Sequence, residues 1–237
     1  MANLVVHKSE TRGDADHGWL RSRHTFSFAD YYDPQREQFG TMRVLNDDIV
    51  AAGRGFGTHP HNNMEIISIP LEGDLEHKDS MGNVSVIKHG DIQVMSAGTG
   101  ITHSEYNRNK DKAVKFLQIW VYPNLKNVKP RYGQITLKSE DRHNNLQQVV
   151  SPGPADTGLW IYQNAWFYLG KFDKGFNTDY SIKSKDNGLY VFVLTGDLTI
   201  MSQKLTMRDG IGIWDTDKVS LYADSDSEVL LIDVPMK

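Results

Sequence analysis

Four side chains that can bind a metal ion occur in this chain as two closely spaced pairs. His59 and His61 form one pair, His103 and Glu105 form the other, and the members of each pair are two residues apart. On a β-strand, residues i and i+2 point to the same face. Two such strands facing each other across a small barrel would bring three imidazoles and one carboxylate to one point. That ligand set suits a divalent metal such as Fe(II), Mn(II), Ni(II), Cu(II) or Zn(II).

The composition narrows the chemistry and the partners. The chain of 237 residues contains no cysteine, which excludes disulfides, thiolate ligands and cysteine nucleophiles. Its formal net charge of -4 gives no basic surplus to neutralise phosphates, so we expect no nucleic-acid partner. The N-terminus lacks a signal-peptide core, and no apolar run approaches the roughly 20 residues that span a bilayer. We therefore expect no membrane partner and a cytoplasmic location.

Short apolar or alternating runs, separated by turn residues, predict an all-β fold. Turn signals such as Gly73-Asp74 and Gly90-Asp91 recur between runs such as 65–69 and 116–121. Many short strands with regular turns are typical of a barrel or a sandwich. No long stretch carries a strong helical period.

Two matching segments predict two similar barrels in tandem. Leu-Glu-Gly-Asp-Leu at 71–75 parallels Leu-Thr-Gly-Asp-Leu at 194–198, and a second Gly/Asp pair follows each. Segment 122–131 has linker composition. We therefore predict an N-terminal metal-binding domain over 1–125 and a C-terminal domain over 132–237. Eight of the nine histidines precede residue 104, so we expect no metal ligands in the C-terminal domain.

Several stretches carry a resemblance to a known family. Segments 53–73 and 90–107 resemble the two cupin motifs, with one extra residue before Gly73, two before His103, and Ser96 where many cupins have proline. More specific are DHGWL and HTFSFADYYDP near the N-terminus, together with GTHPH and SAGTGITHSE around the two ligand pairs. With these stretches, the chain resembles the pirin family.

The resemblance implies a bicupin, in which two jelly-roll barrels (double-stranded β-helices) follow each other and the first holds one metal ion. The family's ligands carry over to His59, His61, His103 and Glu105, and all four positions match. Bacterial pirins include proteins with quercetin 2,3-dioxygenase activity, whereas eukaryotic pirins are nuclear, iron-binding transcription cofactors. This sequence resembles the bacterial group more closely. Iron is the first candidate metal, with Mn, Ni, Co, Cu or Zn as alternatives.

The implied function is a metal-dependent dioxygenase that cleaves the heterocyclic ring of a flavonol with O₂ and releases carbon monoxide. Glu105 is the expected catalytic base, because it is the only anionic ligand and can accept the proton of a substrate hydroxyl. The alternative is a non-enzymatic metal or redox sensor that modulates a protein partner. A pocket large enough for a three-ring flavonoid favours the enzyme, and a sealed metal site favours the sensor. We expect a monomer, because two barrels cover some sheet edges internally.

Two further residues lie close to the ligand pairs in the sequence, and we expect one near the metal centre and the other in solvent. Glu65 follows His61 by four residues, and on one strand it would face the same side. We therefore expect it to hydrogen bond to a ligand or to be structural, rather than to bind the metal. His77 precedes the turn at 80–83, so we expect it at a solvent-facing strand end.

The remaining candidates are expected to be structural. His89 adjoins a glycine turn and should lie on the surface. His17 and His24 should fix the N-terminal segment. Phe26 and Phe28 flank Ser27, and we expect both to face one side and pack on the barrel as core.

Overall fold

The computed structural model describes residues 2–237 as a protein made almost entirely of β-strands. The helices of this part of the chain are two short 3₁₀ helices, Ser9–Thr11 and Ser139–Arg142. The strands up to residue 136 are β1 (Asn3–His7), β2 (Gly13–Asp16), β3 (Leu20–His24), β4 (Met42–Val50), β5 (Gly55–His61), β6 (Glu65–Glu72), β7 (Leu75–Asp79), β8 (Val84–Ile87), β9 (Asp91–Ser96), β10 (Ile101–Asn107), β11 (Val114–Val121) and β12 (Arg131–Thr136). The later strands are β13 (Leu146–Ser151), β14 (Leu159–Trp160), β15 (Trp166–Phe172), β16 (Asn177–Ser181), β17 (Asn187–Thr195), β18 (Leu198–Ile200), β19 (Gln203–Leu205), β20 (Gly210–Trp214), β21 (Lys218–Ala223) and β22 (Ser227–Pro235).

From residue 2 to the C-terminus, no helix has both the length and the apolar character needed to cross a bilayer.

Each half of the chain forms a barrel from one seven-stranded and one four-stranded sheet. In the N-terminal barrel the sheet orders are β12-β9-β6-β11-β4-β3-β2 and β5-β10-β7-β8. In the C-terminal barrel they are β1-β20-β17-β22-β15-β13-β14 and β16-β21-β18-β19. Paired strands run antiparallel, with β13 and β14 as a parallel exception. The predicted all-β fold of two tandem jelly-roll barrels is confirmed.

Two strands cross between the halves. β1 pairs with β20, with Asn3 opposite Trp214, and so joins the C-terminal sheet. β12 pairs with β9, with Arg131 opposite Ser96, and so joins the N-terminal sheet. The sheets therefore do not divide at the predicted boundaries of 1–125 and 132–237. Composition identified the linker but carries no information on which sheet the next strand joins.

The two seven-stranded sheets pack back to back on one shared apolar core. Leu45, Ile67 and Leu117 enter it from the N-terminal sheet, and Phe167 and Phe192 enter it from the C-terminal sheet; all five are fully buried. Alternate residues of each strand face this core, which leaves the others to face the barrel interiors. Because apolar burial is the main favourable term in folding, the shared core joins both halves into one unit.

The two barrel interiors differ in chemistry. The C-terminal barrel is filled by apolar side chains such as Leu189, Val191 and Ile211. The N-terminal barrel has an apolar end around Phe116 and Val50. The rest of its interior carries buried polar side chains, among them Ser22, His24, Asn46, Asp48, Ser68, His77, His103, Glu105 and Gln118. Buried polar groups need partners, so the N-terminal barrel is the one equipped for a ligand.

Truncation in the shared core tests whether the halves depend on it. We expect Phe192→Ala, at a side chain with 0% exposure, to lower the free energy of unfolding by about 3–5 kcal/mol in urea denaturation. Leu125→Ala, at a side chain that is 56% exposed, is the control and should change it by less than about 0.5 kcal/mol. A loss at Phe192 no larger than that at Leu125 would contradict the shared core.

Candidate metal centre

His59, His61 and His103 lie together on two neighbouring strands. β5 carries the first two, and β10 pairs with it so that His103 is directly opposite His59. The expectation of two strands facing each other across the barrel is therefore wrong. Directly opposed residues of an antiparallel pair have Cβ atoms about 5 Å apart, so adjacent strands bring the rings together equally well.

A β-bulge lies in β5, opposite the stretch of β10 between His103 and Glu105. Beyond the His103–His59 pair the register shifts, and Glu105 lies opposite Phe56. The extra residue is on β5, at Gly57 or Thr58, and a bulge of this kind turns the side chains next to it. The Gly57 carbonyl accepts a hydrogen bond from His59 Nδ1 at 2.8 Å. This bond leaves the Nε2 lone pair of His59 free for a metal.

The three imidazoles converge on one point. The ring centroids are 4.5 Å apart for His59 and His103, and 4.9 Å apart for each pair that includes His61. One nitrogen from each ring lies within 4.8 Å of the others. His103 Nε2 is buried and has no hydrogen-bond partner. A buried nitrogen without a partner is costly, and a metal ion at this point would supply one.

The protonation of these rings suits metal binding. Burial, with a smaller contribution from the neighbouring His59, lowers the pKa of His61 to about 4. Burial and the three surrounding histidines lower the pKa of His103 to about 2. Both rings are therefore neutral near neutral pH, and a neutral imidazole is the form that donates a lone pair to a metal.

Glu105 lies beside the three-histidine group and shares His103 with it. A carboxylate oxygen of Glu105 lies within 4.8 Å of ring nitrogens of His103 and His77. Ser68 Oγ donates to Glu105 Oε1 at 3.1 Å, and Gln118 Nε2 donates to Oε2 at 2.7 Å. Burial raises the pKa of Glu105 to about 7 against these two hydrogen bonds. Glu105 does not lie within 4.8 Å of the whole group formed by His59, His61 and His103. A cation beside His103 would favour the ionised form of the Glu105 carboxylate.

Of the two roles expected for Glu65, the structure shows the structural one. β5 ends at His61, and the chain turns through Asn63, whose φ is 47°, before β6 begins in the other sheet. The even spacing from His61 to Glu65 therefore says nothing about a shared face. The Glu65 carboxylate accepts a hydrogen bond from Ser96 Oγ at 2.6 Å and another from the backbone of Tyr162. It links the N-terminal sheet to the C-terminal half.

His77 was expected in solvent, and this expectation is wrong. Its side chain is 0% exposed and its Nδ1 lies 3.5 Å from Nδ1 of His103. Its Nε2 lies 3.2 Å from Oδ2 of Asp79. The turn that follows was taken as a sign of exposure. The sequence feature that could have predicted its burial is the two-residue spacing of His77 and Asp79, which places both on one face of β7.

A cavity of about 650 Å³ opens beside the candidate metal centre. His59 and Glu105 form part of its wall, so two of the predicted ligands face it. Its polar wall includes Ser22 and His24 on β3 and Asn46 and Asp48 on β4, which pair directly across the two strands. His24 Nδ1 and Asn46 Oδ1 are buried without a partner.

The N-terminal signature contributes to this cavity more than expected. His17, His24 and Phe28 line it, although all three were expected to be structural. Phe26 does belong to the core, at 1% exposure. Phe28 instead packs edge-on against Trp120, with ring centroids 5.4 Å apart. β3 ends at His24, so the strand alternation assumed for these two phenylalanines does not apply. His89 is exposed, as expected.

Two family models taken together, curated proteins and a solved structure all match this chain over most of its length. A family model described as Pirin matches residues 5–121, and one described as Quercetinase C-terminal cupin domain matches residues 148–234. A protein of Escherichia coli K12 named quercetin 2,3-dioxygenase is 44% identical over 232 residues, which are 98% of this chain and 99% of that protein. A pirin-like protein of Caulobacter vibrioides is 37% identical, over 93% of this chain and 95% of that one. The crystal structure of the bacterial pirin YhhW from Escherichia coli in complex with nickel(II) has a TM-score of 0.93 and 43% identity, over 98% of this chain and 99% of that one.

Removing one imidazole tests the metal centre. We expect His59→Ala to retain no metal after dialysis, because two rings and a hydrogen-bonded carboxylate leave the ion under-coordinated. The measurement is metal content by elemental analysis after loading with Ni(II), with His89→Ala, at an exposed ring, as the matched control. Full occupancy in His59→Ala would remove this residue from the ligand set.

The buried carboxyl of Asp48 predicts a pH-dependent stability difference. Burial raises its pKa to about 7, against the hydroxyl that Ser22 donates, and an unfolded aspartate has a pKa of about 4. The folded state therefore binds this proton more tightly. The stability that the carboxyl contributes is fully present below about pH 4 and is lost as the pH rises through about 7.

Asp48→Asn removes that loss. We expect its free energy of unfolding, relative to the natural protein, to rise by up to a few kcal/mol from about pH 4 to about pH 8 in urea denaturation. Asp111→Asn, in an exposed loop, is the control. If the difference in free energy of unfolding between Asp48→Asn and the natural protein did not change with pH, the carboxyl of Asp48 would not be protonated in the folded protein.

Proposed function

This chain belongs to the pirin family, and on that premise we propose that it is a metal-dependent dioxygenase. Its substrate is a flavonol, whose heterocyclic ring it opens with O₂ and the release of carbon monoxide. His59, His61, His103 and Glu105 hold one divalent transition-metal ion, with iron as the first candidate. The nickel(II) complex of YhhW supports a divalent metal in this family. The relatives named quercetin 2,3-dioxygenase support the reaction.

The cavity beside the metal centre carries this proposal. Its volume of about 650 Å³ falls within the roughly 300–1,000 Å³ of small-molecule sites. Two candidate ligands, His59 and Glu105, face it. A site that only senses the oxidation state of its metal needs no such space. The cavity therefore favours an enzyme over the sensor.

The cavity wall suits a planar, hydroxylated aromatic molecule. Trp120 packs edge-on against both Phe28 and His61, with centroids 5.4 Å and 4.9 Å away, so aromatic surface leads to the metal centre. Aromatic side chains stabilise bound rings by offset or edge-on packing. The polar wall, which includes Ser22 and Asp48, suits the hydroxyl groups of such a molecule.

Glu105 acts as the base. A bound divalent ion supplies Lewis acidity, which lowers the pKa of a substrate hydroxyl beside it. Glu105 accepts the proton of that hydroxyl and leaves the electron-rich flavonolate that reacts with O₂. Ser68 and Gln118 each hold one oxygen of the carboxylate by a hydrogen bond, so they fix its direction.

We also propose that the chain works as a monomer. The two seven-stranded sheets bury each other's outer faces in the shared core, so no second copy is needed to cover them.

Replacing the base separates catalysis from metal binding. We expect Glu105→Gln to lower turnover about 100-fold or more, because the amide cannot accept the proton. Metal content should fall less, since the amide keeps one oxygen and the three histidines remain. Glu72→Gln, whose carboxylate is 54% exposed, is the matched control. Unchanged turnover in Glu105→Gln would remove the base role.

Carbon monoxide release tests the proposed function directly. The protein is loaded with Fe(II), Mn(II), Ni(II) or Cu(II) and mixed with quercetin under O₂, with His59→Ala as the control for spontaneous flavonol oxidation. We expect metal-dependent carbon monoxide that the variant does not release. No carbon monoxide with any metal, from protein that holds one ion, would overturn the dioxygenase.

A further inference from the structure

β10 has a ligand-bearing strand on one side and a strand without predicted ligands on the other. On β5 the residue opposite His103 is His59. On β7 the residue opposite His103 is Asp79, and the residue opposite Glu105 is His77. Because His77 and Asp79 are two residues apart on one strand, both face the barrel interior directly beside His103.

These side chains form a continuous line of polar contacts that ends at the candidate metal centre. Asp79 Oδ2 lies 3.2 Å from His77 Nε2, and His77 Nδ1 lies 3.5 Å from His103 Nδ1. The far nitrogen of His103, Nε2, is buried and without a partner in the protein. The line therefore begins at a carboxylate and ends at a free lone pair.

The carboxylate end of this line is firmly anchored. Asp79 Oδ1 accepts the backbone N–H groups of Met81 at 2.9 Å and Asn83 at 3.0 Å. Asp79 Oδ2 accepts the side-chain amide of Asn83 at 2.8 Å. A carboxylate that receives several N–H donors is held as an anion in one orientation. Asp79 is thus an acceptor, and the group it faces must donate.

Only one assignment of protons to neutral rings satisfies every contact. Asp79 accepts, so His77 Nε2 carries the hydrogen and His77 Nδ1 is the acceptor. His103 Nδ1 must then carry a hydrogen and donate it to His77 Nδ1. A neutral imidazole has a single N–H, so the lone pair of His103 resides on Nε2. That is the atom left without a partner in the protein.

We propose that His77 and Asp79 are positioning residues that fix the tautomer and the orientation of His103. This inference rests on the proposed metal centre. Neither residue touches the metal or the substrate. They act by holding the Nε2 lone pair of His103 toward the point where the three imidazoles meet. Such partners of ligating histidines make the ligand more basic and typically change metal affinity 10–100-fold.

The burial of His77 makes it effective in this role. The His77 and Asp79 side chains are both 0% exposed, so water does not compete for their hydrogen bonds. The Tyr132 ring, on β12, covers the His77 ring with centroids 4.8 Å apart and a tilt of 32°. β12 is the strand that crosses from the far side of the linker, and it closes the N-terminal barrel over this pair.

The tautomers can be read directly by nuclear magnetic resonance. The protein is loaded with Zn(II), which is diamagnetic, and long-range ¹H–¹⁵N spectra of the histidine rings are recorded. We expect His103 with a metal-bound Nε2 and a protonated Nδ1, and His77 with a protonated Nε2 and no metal contact. Coordination by His103 Nδ1, or by His77 itself, would overturn the proposal.

Two amide variants separate the two contacts of His77. The amide of asparagine lies near the position of Nδ1, and that of glutamine reaches the position of Nε2. His77→Gln therefore loses the acceptor for His103, whereas His77→Asn keeps it. We expect the Zn(II) affinity, measured by competition with a chelating dye, to fall 10–100-fold in His77→Gln and to recover in His77→Asn. His89→Gln is the matched surface control.

Equal affinity in His77→Gln and the natural protein, with the spectra otherwise unchanged, would refute the positioning role. If His77→Gln does not fold, the spectra of the natural protein still test the proposed tautomers of His103 and His77. Both readouts are independent of catalysis. A protein that shows the expected tautomers but releases no carbon monoxide would overturn the dioxygenase and leave this inference standing.

Discussion

The register of β10 between β5 and β7 is the constraint on which the site depends. Antiparallel pairing with β5 places His103 opposite His59, and pairing with β7 places Asp79 opposite His103. One strand therefore aligns the candidate ligands on its one side with their proposed positioning residues on the other. A slip by one residue would turn the inward set to the outer face and disperse the site. The β-bulge in β5 offsets its pairing with β10 by one residue beyond His103, whereas the pairing of β10 with β7 runs without a shift.

The surrounding fold protects this register. The N-terminal barrel carries polar groups inside, which weakens its own apolar packing. The C-terminal barrel is filled with apolar side chains and shares a large core with the N-terminal sheet. Strand exchange adds to this support, since β12 extends the N-terminal sheet and β1 extends the C-terminal one. The C-terminal barrel thus contributes stability, and the N-terminal barrel can hold buried polar side chains that lower its own stability.

The sequence predicted what is local and periodic. The i, i+2 pairs predicted that His59, His61 and His103 lie together, and the recurring turns predicted the all-β fold. It failed where the answer depended on strand ends or on partners distant in the chain. Residues an even number apart share a face only within one strand. Glu65 lies beyond the end of β5, and Phe28 lies beyond the end of β3, so the rule did not apply to either. The burial of His77 depends on pairing with β10 and on cover by β12, which composition does not encode.

The measurement that tests this account most directly is a crystal structure of the nickel-loaded protein with quercetin, prepared without oxygen. We predict one ion held by His59, His61, His103 and Glu105 in the N-terminal barrel. The flavonol should occupy the cavity beside Trp120, with a hydroxyl within hydrogen-bond distance of Glu105. A flavonol bound elsewhere, or an ion bound by other residues, would contradict the central claim that this polar barrel is the reactive site.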